Sequence, residues 1–270
     1  MFSDLTGRRA VATDAARRAG EHLKFLYADR GALVVEQKGL NDFVSRADRE
    51  AEAIIKTCLG EAFPDDGFIG EETGQSGASR ARVVWVVDPL DGTTNFLKGT
   101  HNWCVSIGLV VDDTIVGGVI YDPLRDEIFE GFESQGTRVN GRAVEVSSVA
   151  DPGNGIIALG YNARIGAARF AGDTQALLAT GLNFRQLGAG ALMLAYVAAG
   201  RIDAYFERHM WPWDAVAGLA LIKEAGGLQA DYPAGPDILA GSGVLAANPA
   251  LYPLLKDVLG GGPDPWMVEA

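Results

Sequence analysis

The sequence predicts an α/β protein, and three observations predict it. Two stretches within residues 1–60 carry apolar side chains at helical spacing. Residues 83–147 hold short β-branched runs punctuated by turn residues. Past residue 151, strand-like and helix-like stretches alternate, as they do in layered α/β proteins.

The elements follow in order. Residues 5–27 are rich in Ala and Arg, with Val11, Ala15, Ala19, Leu23 and Leu26 roughly on one face, which predicts a first helix. Leu33-Val34-Val35 reads as a short strand, and a polar loop follows over residues 38–45. A second helix is predicted from about Asp48 to Gly60, because Ala51, Ile54, Ile55, Cys58 and Leu59 keep an amphipathic rhythm. Val83 to Val87 is the run expected of a strand buried on both faces. Pro89 has no N–H for a ladder and is expected to stop that strand. Residues 105–109, 114–121 and 127–132 read as an antiparallel meander, with Asn140-Gly141 as a hairpin signal.

Asp151-Pro152-Gly153-Asn154-Gly155 is the expected boundary between an N-terminal half, residues 1–150, and a C-terminal half, residues 151–270. In the second half, strands are read near residues 155–161, 183–187 and 201–206, and helices near 165–180 and 189–199. Residues 213–225 form a further helix, with Val216, Ala217, Ala220, Leu221 and Ala225 at core spacing and Gly226-Gly227 as its stop. Strands near 228–230 and 244–246 and a helix from Pro249 complete the order. No internal repeat is present.

Composition bounds the function. Hydrophobic residues make up 48% of the chain and charged residues 21%, ordinary values for a soluble globular protein. The net charge of −12 disfavours nucleic acid or an anionic membrane as a partner. It also makes a phosphorylated substrate awkward unless cations intervene. Cys58 and Cys104 form no disulfide framework and sit among apolar residues, which predicts buried, reduced thiols and a cytoplasmic protein. His22, His101 and His209 are too scattered for an imidazole zinc site. Met1-Phe2-Ser3-Asp4 leads into arginines, so no signal peptide is expected. No apolar stretch reaches the ~18 residues that span a bilayer.

The densest chemical signal is Val87-Asp88-Pro89-Leu90-Asp91-Gly92-Thr93-Thr94-Asn95-Phe96. Two carboxylates three positions apart stand where an apolar run ends and a Gly-Thr-Thr turn begins. Gly92 lets backbone approach an anion, and Thr93 and Thr94 offer hydroxyls and amides to a phosphate. Hard oxygen ligands beside such a seat suggest Mg²⁺-assisted phosphoryl chemistry. The same residues also make an ordinary turn. Three other acidic places join them: Ile69-Gly70-Glu71-Glu72, Pro212-Trp213-Asp214, and Asp42 with Asp48. Taken singly, these read as a solvated pair and as helix caps.

Taken together, the set resembles the inositol monophosphatase family of metal-dependent phosphatases. The resemblance runs through Ile69-Gly70-Glu71-Glu72, Trp85 to Phe96, Val105-Ser106-Ile107-Gly108 and Asp203-Ala204-Tyr205-Phe206-Glu207. It ends in Trp213-Asp214 and Glu224-Ala225-Gly226-Gly227, in family order over nearly the whole chain. It implies an α-β-α-β-α layered sandwich with the active site between the two halves. It implies two or three Mg²⁺ ions: one held by Glu71, Asp88 and the main-chain carbonyl of Leu90, a second by Asp88, Asp91 and Asp214. A third, weaker position faces Glu71. Glu71 and Thr93 would activate water, with Asp48 supporting Thr93. Gly92, Thr93 and Thr94 would bind phosphate. Gly188, Ala189, Gly190, Glu207 and Asp214 would meet the rest of the substrate. Lys38, Asp42 and Glu72 would belong to a mobile loop and the surroundings of the metals.

The implied activity is hydrolysis of a small phosphorylated metabolite, inositol monophosphate first, by a lithium-sensitive cytoplasmic homodimer. Histidinol phosphate and fructose 1,6-bisphosphate are the alternative substrates, and a non-catalytic regulatory protein is the alternative of another class. Thr94-Asn95-Phe96 departs from the nucleotide bisphosphatase pattern. Lys98 and His101 replace the family's usual histidine and proline, and the segment from Arg208 to Pro212 is unusually aromatic. That segment is expected at the pocket mouth, at a subunit contact or in plain core. Two carboxylates ~4 Å apart repel by about 4 kcal/mol at an effective dielectric near 20, so such a cluster calls for cations. Asp91→Asn is therefore expected to abolish activity while keeping, or even raising, stability without metal.

Overall fold

A computed structural model describes residues 4–32, 35–39, 42–76, 81–235 and 237–260, and within 32–45 it describes backbone alone. Helix α1 (Leu5–Ala28) starts where the Asp4 carboxylate accepts the Gly7 N–H at 2.8 Å, and it buries Ala12, Ala15, Ala19 and Leu23. Strands β1 (Val35–Gly39) and β2 (Asp42–Ser45) pair as an antiparallel ribbon. The sequence predicts a loop over residues 38–45, of which 38, 39 and 42–45 are instead strand. Polarity does not bar a ribbon whose two backbones satisfy each other's hydrogen bonds. Residues 33 and 34 of the expected strand, and the Lys38 and Asp42 side chains, lie outside the described residues. Helix α2 (Arg46–Ala62) begins two residues earlier than read and carries Asp48 in its first turn.

The larger sheet is built from β3 (Gly67–Gly70), β4 (Gly74–Ser76), β5 (Val83–Asp91), β6 (Cys104–Val111), β7 (Thr114–Asp122), β8 (Glu127–Phe132), β9 (Thr137–Val139) and β10 (Arg142–Val144). Its order is β10-β9-β8-β7-β6-β5-β3-β4, with β3 and β5 parallel and the other neighbours antiparallel. The hairpin between β9 and β10 turns on Asn140 (φ 48°) and Gly141 (φ 78°), both left-handed as a type I′ turn requires. Pro89 does not stop β5. The register with β6 breaks between Asp88 and Asp91, and Pro89 falls in that irregularity, where its missing N–H costs no ladder bond. The strand continues to Asp91, and helix α3 (Thr93–Lys98), absent from the sequence reading, follows directly.

The second sheet and its helices comprise β11 (Ile156–Leu159), α4 (Ala167–Ala179), β12 (Asn183–Arg185), α5 (Gly190–Ala198), β13 (Ala204–Met210), α6 (Pro212–Glu224), β14 (Leu228–Gln229), β15 (Ser242–Ala247) and α7 (Tyr252–Leu259). The strand order is β12-β11-β13-β15-β14, with β11 parallel to both its neighbours. β13 starts at Ala204, three residues later than read and directly after Asp203. Its carboxylate accepts Ser147 Oγ at 2.5 Å and the Ile156 N–H at 2.7 Å, tying down the connection between the sheets.

Alternation along the strands makes the layers. Trp85 and Val87 of β5 face α1 and α2, in one core with Ala15, Leu23 and Ile55. Ile120 and Phe129, on the opposite face of the larger sheet, share a second core with Leu192 and Leu194 of α5 and Leu219 and Leu221 of α6. Ala158 and Tyr205 close that core from the second sheet. Their neighbours Ile157, Leu159 and Phe206 point away, toward Leu177 of α4 and Leu255 of α7. The stack is α1/α2, sheet, α5/α6, sheet, α4/α7, the sandwich expected from the resemblance. Among the described residues, no helix is long and apolar enough to cross a membrane.

Helix α6 lies unusually close to the larger sheet because glycines stand beneath it. A Cβ on Gly108 would meet Val216 Cβ at 2.9 Å, and one on Gly118 would meet Ala217 Cα at 2.6 Å. This approach carries Asp214 down to the end of β5. Gly118→Ala is expected to push α6 outward and lower stability by about 1–3 kcal/mol, read from the urea midpoint; an unchanged midpoint would show that the close approach is not required.

Candidate metal centre

The site is built where β5 ends. Leaving the ladder at Pro89 frees Asp88 and Asp91 from strict alternation, and the Asp88 carboxylate accepts the Leu90 N–H at 2.8 Å. Ser106 Oγ of β6 donates to the Trp213 carbonyl at 2.9 Å, which fixes the first turn of α6 beside β5. One carboxylate oxygen from each of Asp88, Asp91 and Asp214 then lies within 4.8 Å of the others. Asp88 and Asp91 are 2% and 6% exposed, and Asp214 is half-buried. Glu71 follows β3 immediately, and its N–H donates to the Val87 carbonyl at 3.1 Å. It stands near enough for its charge to act on both Asp88 and Asp214.

Burial and like charge dominate the electrostatics. Burial pushes the Asp88 carboxyl well above the usual carboxylate range, and Glu71, Asp214 and Asp91 push it further. Burial likewise raises Asp214, followed by the charges of Asp91 and Glu71. Interaction between the two carboxyls themselves raises Asp88 and lowers Asp214. Asp91 behaves differently. Burial lifts it only to about 6, because the N–H of Leu192, the Cys104 thiol and the N–H groups of Gly190 and Ala191 favour its anion.

Asp91 Oδ1 accepts Gly190 N–H at 3.0 Å, while Oδ2 accepts Leu192 N–H at 3.2 Å and faces Cys104 Sγ at 3.5 Å. Asp91 therefore caps α5 from another element. In Asp91→Asn an amide nitrogen would face one of those N–H donors, which offsets part of the relief expected from removing the charge. Cys104 is buried as expected, and burial keeps its thiol protonated and able to donate.

The Gly-Thr-Thr segment is the start of α3 rather than an open turn. Gly92 has φ 89°, and a Cβ there would meet the Asn102 carbonyl at 2.8 Å and Ala189 Cβ at 3.1 Å, so only glycine fits. Thr93 Oγ1 lies 3.0 Å from both Asp48 Oδ1 and the Leu90 carbonyl; its one proton serves either. Asp48 is buried on α2. Thr94 is exposed in the first turn of α3, whose N-terminal N–H groups have no side-chain cap. Asn95 Nδ2 donates to the carbonyls of Asn102 and Leu187, both at 2.7 Å, which holds α3 against the 188–190 turn.

A cavity of about 300 Å³ opens beside the cluster, lined by Asp91, Asp214, Gly188, Ala189, Gly190 and Glu207, with Tyr161, Asn162 and Gln186. Glu207 accepts Tyr205 OH at 2.5 Å, and burial pushes its carboxyl up to about 7. Lys98 and His101 are exposed and line no part of this cavity. Of the segment from Arg208 to Pro212, Met210 lines this cavity, while Trp211 is only partly buried and stacks on Trp213 with ring centroids 5.4 Å apart, under the Arg164 guanidinium at 4.3 Å.

Sequence reasoning missed four residues here: Glu52, Asn95, Cys104 and Tyr205. Glu52 left a signal, being an acid one helical turn after Asp48 on the face that carries Ala51 and Ile55. Its carboxylate accepts the N–H groups of Glu72 and Thr73.

The model of the inositol monophosphatase family matches residues 4–259. Nus factor SuhB from Escherichia coli (strain K12) is 38% identical over 241 residues, which cover 88% of this chain and 90% of that protein. Extragenic suppressor protein suhB from Bartonella henselae superposes with a TM-score of 0.88 at 38% identity, over 94% of this chain and 98% of that one. Inositol monophosphatase from Anabaena (Nostoc) sp. PCC 7120 superposes with a TM-score of 0.84 at 32% identity, over 97% and 98%.

The raised carboxyls set a pH dependence. The unfolded chain gives up these protons near pH 4, whereas the folded chain holds the Asp91 proton to about 6 and the Glu207 proton to about 7. The folded state thus binds more protons through that window, and metal-free stability falls as pH rises through it. Melting in EDTA should drop between about pH 5 and pH 7.5, and Asp214→Asn should raise the metal-free melting temperature at the upper end. A melting temperature that climbs across this range contradicts the electrostatic picture.

Proposed function

Because the chain belongs to the inositol monophosphatase family, we propose that it is a Mg²⁺-dependent phosphatase of small phosphate monoesters, inositol monophosphate first among them. The observation that carries the reading is the trio Asp88, Asp91 and Asp214, whose oxygens lie within 4.8 Å in a place where burial and repulsion resist their ionisation. A divalent cation relieves that repulsion, and hard carboxylate oxygens suit Mg²⁺.

Glu71, Asp88 and the Leu90 carbonyl would hold one ion, Asp88, Asp91 and Asp214 a second, with Glu71 facing a third. Bound there, Mg²⁺ supplies neutralisation of the phosphoryl oxygens and a lowered pKa for the attacking water. The chain's own residues do the rest. Glu71 and the Thr93 hydroxyl orient the water, and Glu71 takes its proton. Asp48 holds Thr93 at 3.0 Å. The amides of α3's first turn and the Thr93 and Thr94 hydroxyls seat the phosphate behind Gly92. Glu207 and the 188–190 turn meet the hydroxyls of the leaving alcohol, with Tyr205 holding one Glu207 oxygen. Lys38, Asp42 and Glu72 complete the surroundings. The working form in this reading is a cytoplasmic homodimer.

A second reading, a regulatory role beside or instead of catalysis, is favoured by the likeness to Nus factor SuhB. Catalysis separates the two. The purified chain should release phosphate from myo-inositol monophosphate with Mg²⁺ and not with EDTA, and Li⁺ should inhibit it. Glu71→Gln and Asp214→Asn should each lower kcat by about 10²-fold or more. A panel adding histidinol phosphate, fructose 1,6-bisphosphate and adenosine bisphosphate ranks the substrates. Silence on the whole panel at saturating Mg²⁺ would leave the regulatory reading standing.

A further inference from the structure

Glu52 is the most buried acid near the cluster that the proposed mechanism does not use. It is 1% exposed on α2, one turn beyond Asp48, which is also 1% exposed. Its two oxygens reach two successive main-chain donors: Oε2 accepts Glu72 N–H at 2.9 Å and Oε1 accepts Thr73 N–H at 3.0 Å. A carboxylate that takes one N–H on each oxygen fixes both the position and the tilt of the turn that supplies them. Gly70 leaves the room for this, since a Cβ there would overlap the Glu52 carboxylate. On the other side, the Glu71 N–H is held by the Val87 carbonyl at 3.1 Å, the residue before Asp88. Three consecutive N–H groups, at residues 71, 72 and 73, are therefore anchored, and the Glu71 side chain leaves from a fixed Cα.

The same helix face controls Thr93. Residues i and i+4 of a helix stand one above the other, so Asp48 and Glu52 form a pair with a spacing set by the helix backbone. Asp48 reaches Thr93 Oγ1 at 3.0 Å, and Glu52 reaches the turn of Glu71. Thr93 and Glu71 come from different elements, α3 and the end of β3, and nothing in the local sequence of either sets their separation.

We propose that Glu52 is a positioning residue for Glu71, and that α2 uses Asp48 and Glu52 as a bracket that sets where Thr93 and Glu71 stand relative to each other. The inference rests on the reading above, in which these two side chains orient the attacking water beside Mg²⁺. A role confined to folding would cost stability in Glu52 variants and leave metal affinity alone.

Glu52→Gln is the test, because its amide nitrogen would face one of the two N–H donors while the volume stays the same. Mg²⁺ binding is measured by calorimetry, and kcat and KM by phosphate release, on the wild-type chain and the variant. The variant should bind Mg²⁺ about 10- to 100-fold more weakly and lose kcat by a similar factor, with KM for the ester little changed. A folded variant with wild-type Mg²⁺ affinity and kcat overturns the proposal, whatever its melting temperature. The wild-type arm reports on the underlying reading: Mg²⁺ binding without hydrolysis defeats the phosphatase and leaves the bracket to be judged on affinity. No wild-type Mg²⁺ binding defeats both.

If Glu52→Gln does not fold, Glu52→Asp keeps the charge with a shorter reach and should also weaken Mg²⁺. The wild-type chain offers a further check that needs no variant. Mg²⁺ should slow deuterium exchange at the Glu72 and Thr73 amides, and exchange indifferent to Mg²⁺ overturns the proposal.

Discussion

Carboxylates held together out of reach of water repel one another, and the rest of this structure is arranged around keeping them there. Asp88, Asp91 and Asp214 come from two elements distant in sequence, yet their oxygens converge within 4.8 Å. Nothing about burial favours this, since it pushes the Asp88 and Asp214 carboxyls well up. The convergence has to be imposed by packing. β5 abandons its register at Pro89, and α6 settles onto Gly108 and Gly118. Ser106 then ties the first turn of α6 to β6. A cluster that is unfavourable when empty of cations and favourable when they bind is the pattern of a binding site rather than of a core.

Asp91 shows how the two sheets depend on one centre. Its carboxylate belongs to the acidic cluster and also caps α5, whose first residues border the cavity that holds Glu207. Asn95 adds a second tie, from α3 to the Leu187 carbonyl. Charge neutralised at the cluster is therefore mechanically connected to the wall that would meet the leaving alcohol. The same economy appears on α2, where one helical face reaches Thr93 through Asp48 and the Glu71 turn through Glu52.

Much of this was legible from residue order, for physical reasons that can be named. Helices α1 and α2 each bury a face whose spacing is visible in the chain, α6 is an apolar run buried on all sides from Ala215 to Ile222, and the meander is written in β-branched runs between turn residues. The family resemblance points to Glu71, Asp88, Asp91 and Asp214; the structure gathers the three aspartates and brings Glu71 close enough for its charge to act on Asp88 and Asp214. The misses share a cause, which is tertiary context. Pro89 stops a strand only where a ladder needs its N–H, and here a break in register excuses it. Residues 93–98 are too short to show a helical period. Residues 42–45, polar like the stretch before them, pair with 35–39 as a ribbon, which composition cannot reveal. Asp91 as a cap for α5 and Glu52 as a clamp are contacts between residues 20 or more apart in sequence, where no local pattern points.

The most direct measurement of the central claim is anomalous diffraction from crystals grown with Mn²⁺ in place of Mg²⁺. The account predicts two strong peaks, one bounded by Asp88, Asp91 and Asp214 and the other by Glu71, Asp88 and the Leu90 carbonyl. Crystals saturated with Mn²⁺ that show no peak within coordination distance of Asp88 would contradict it.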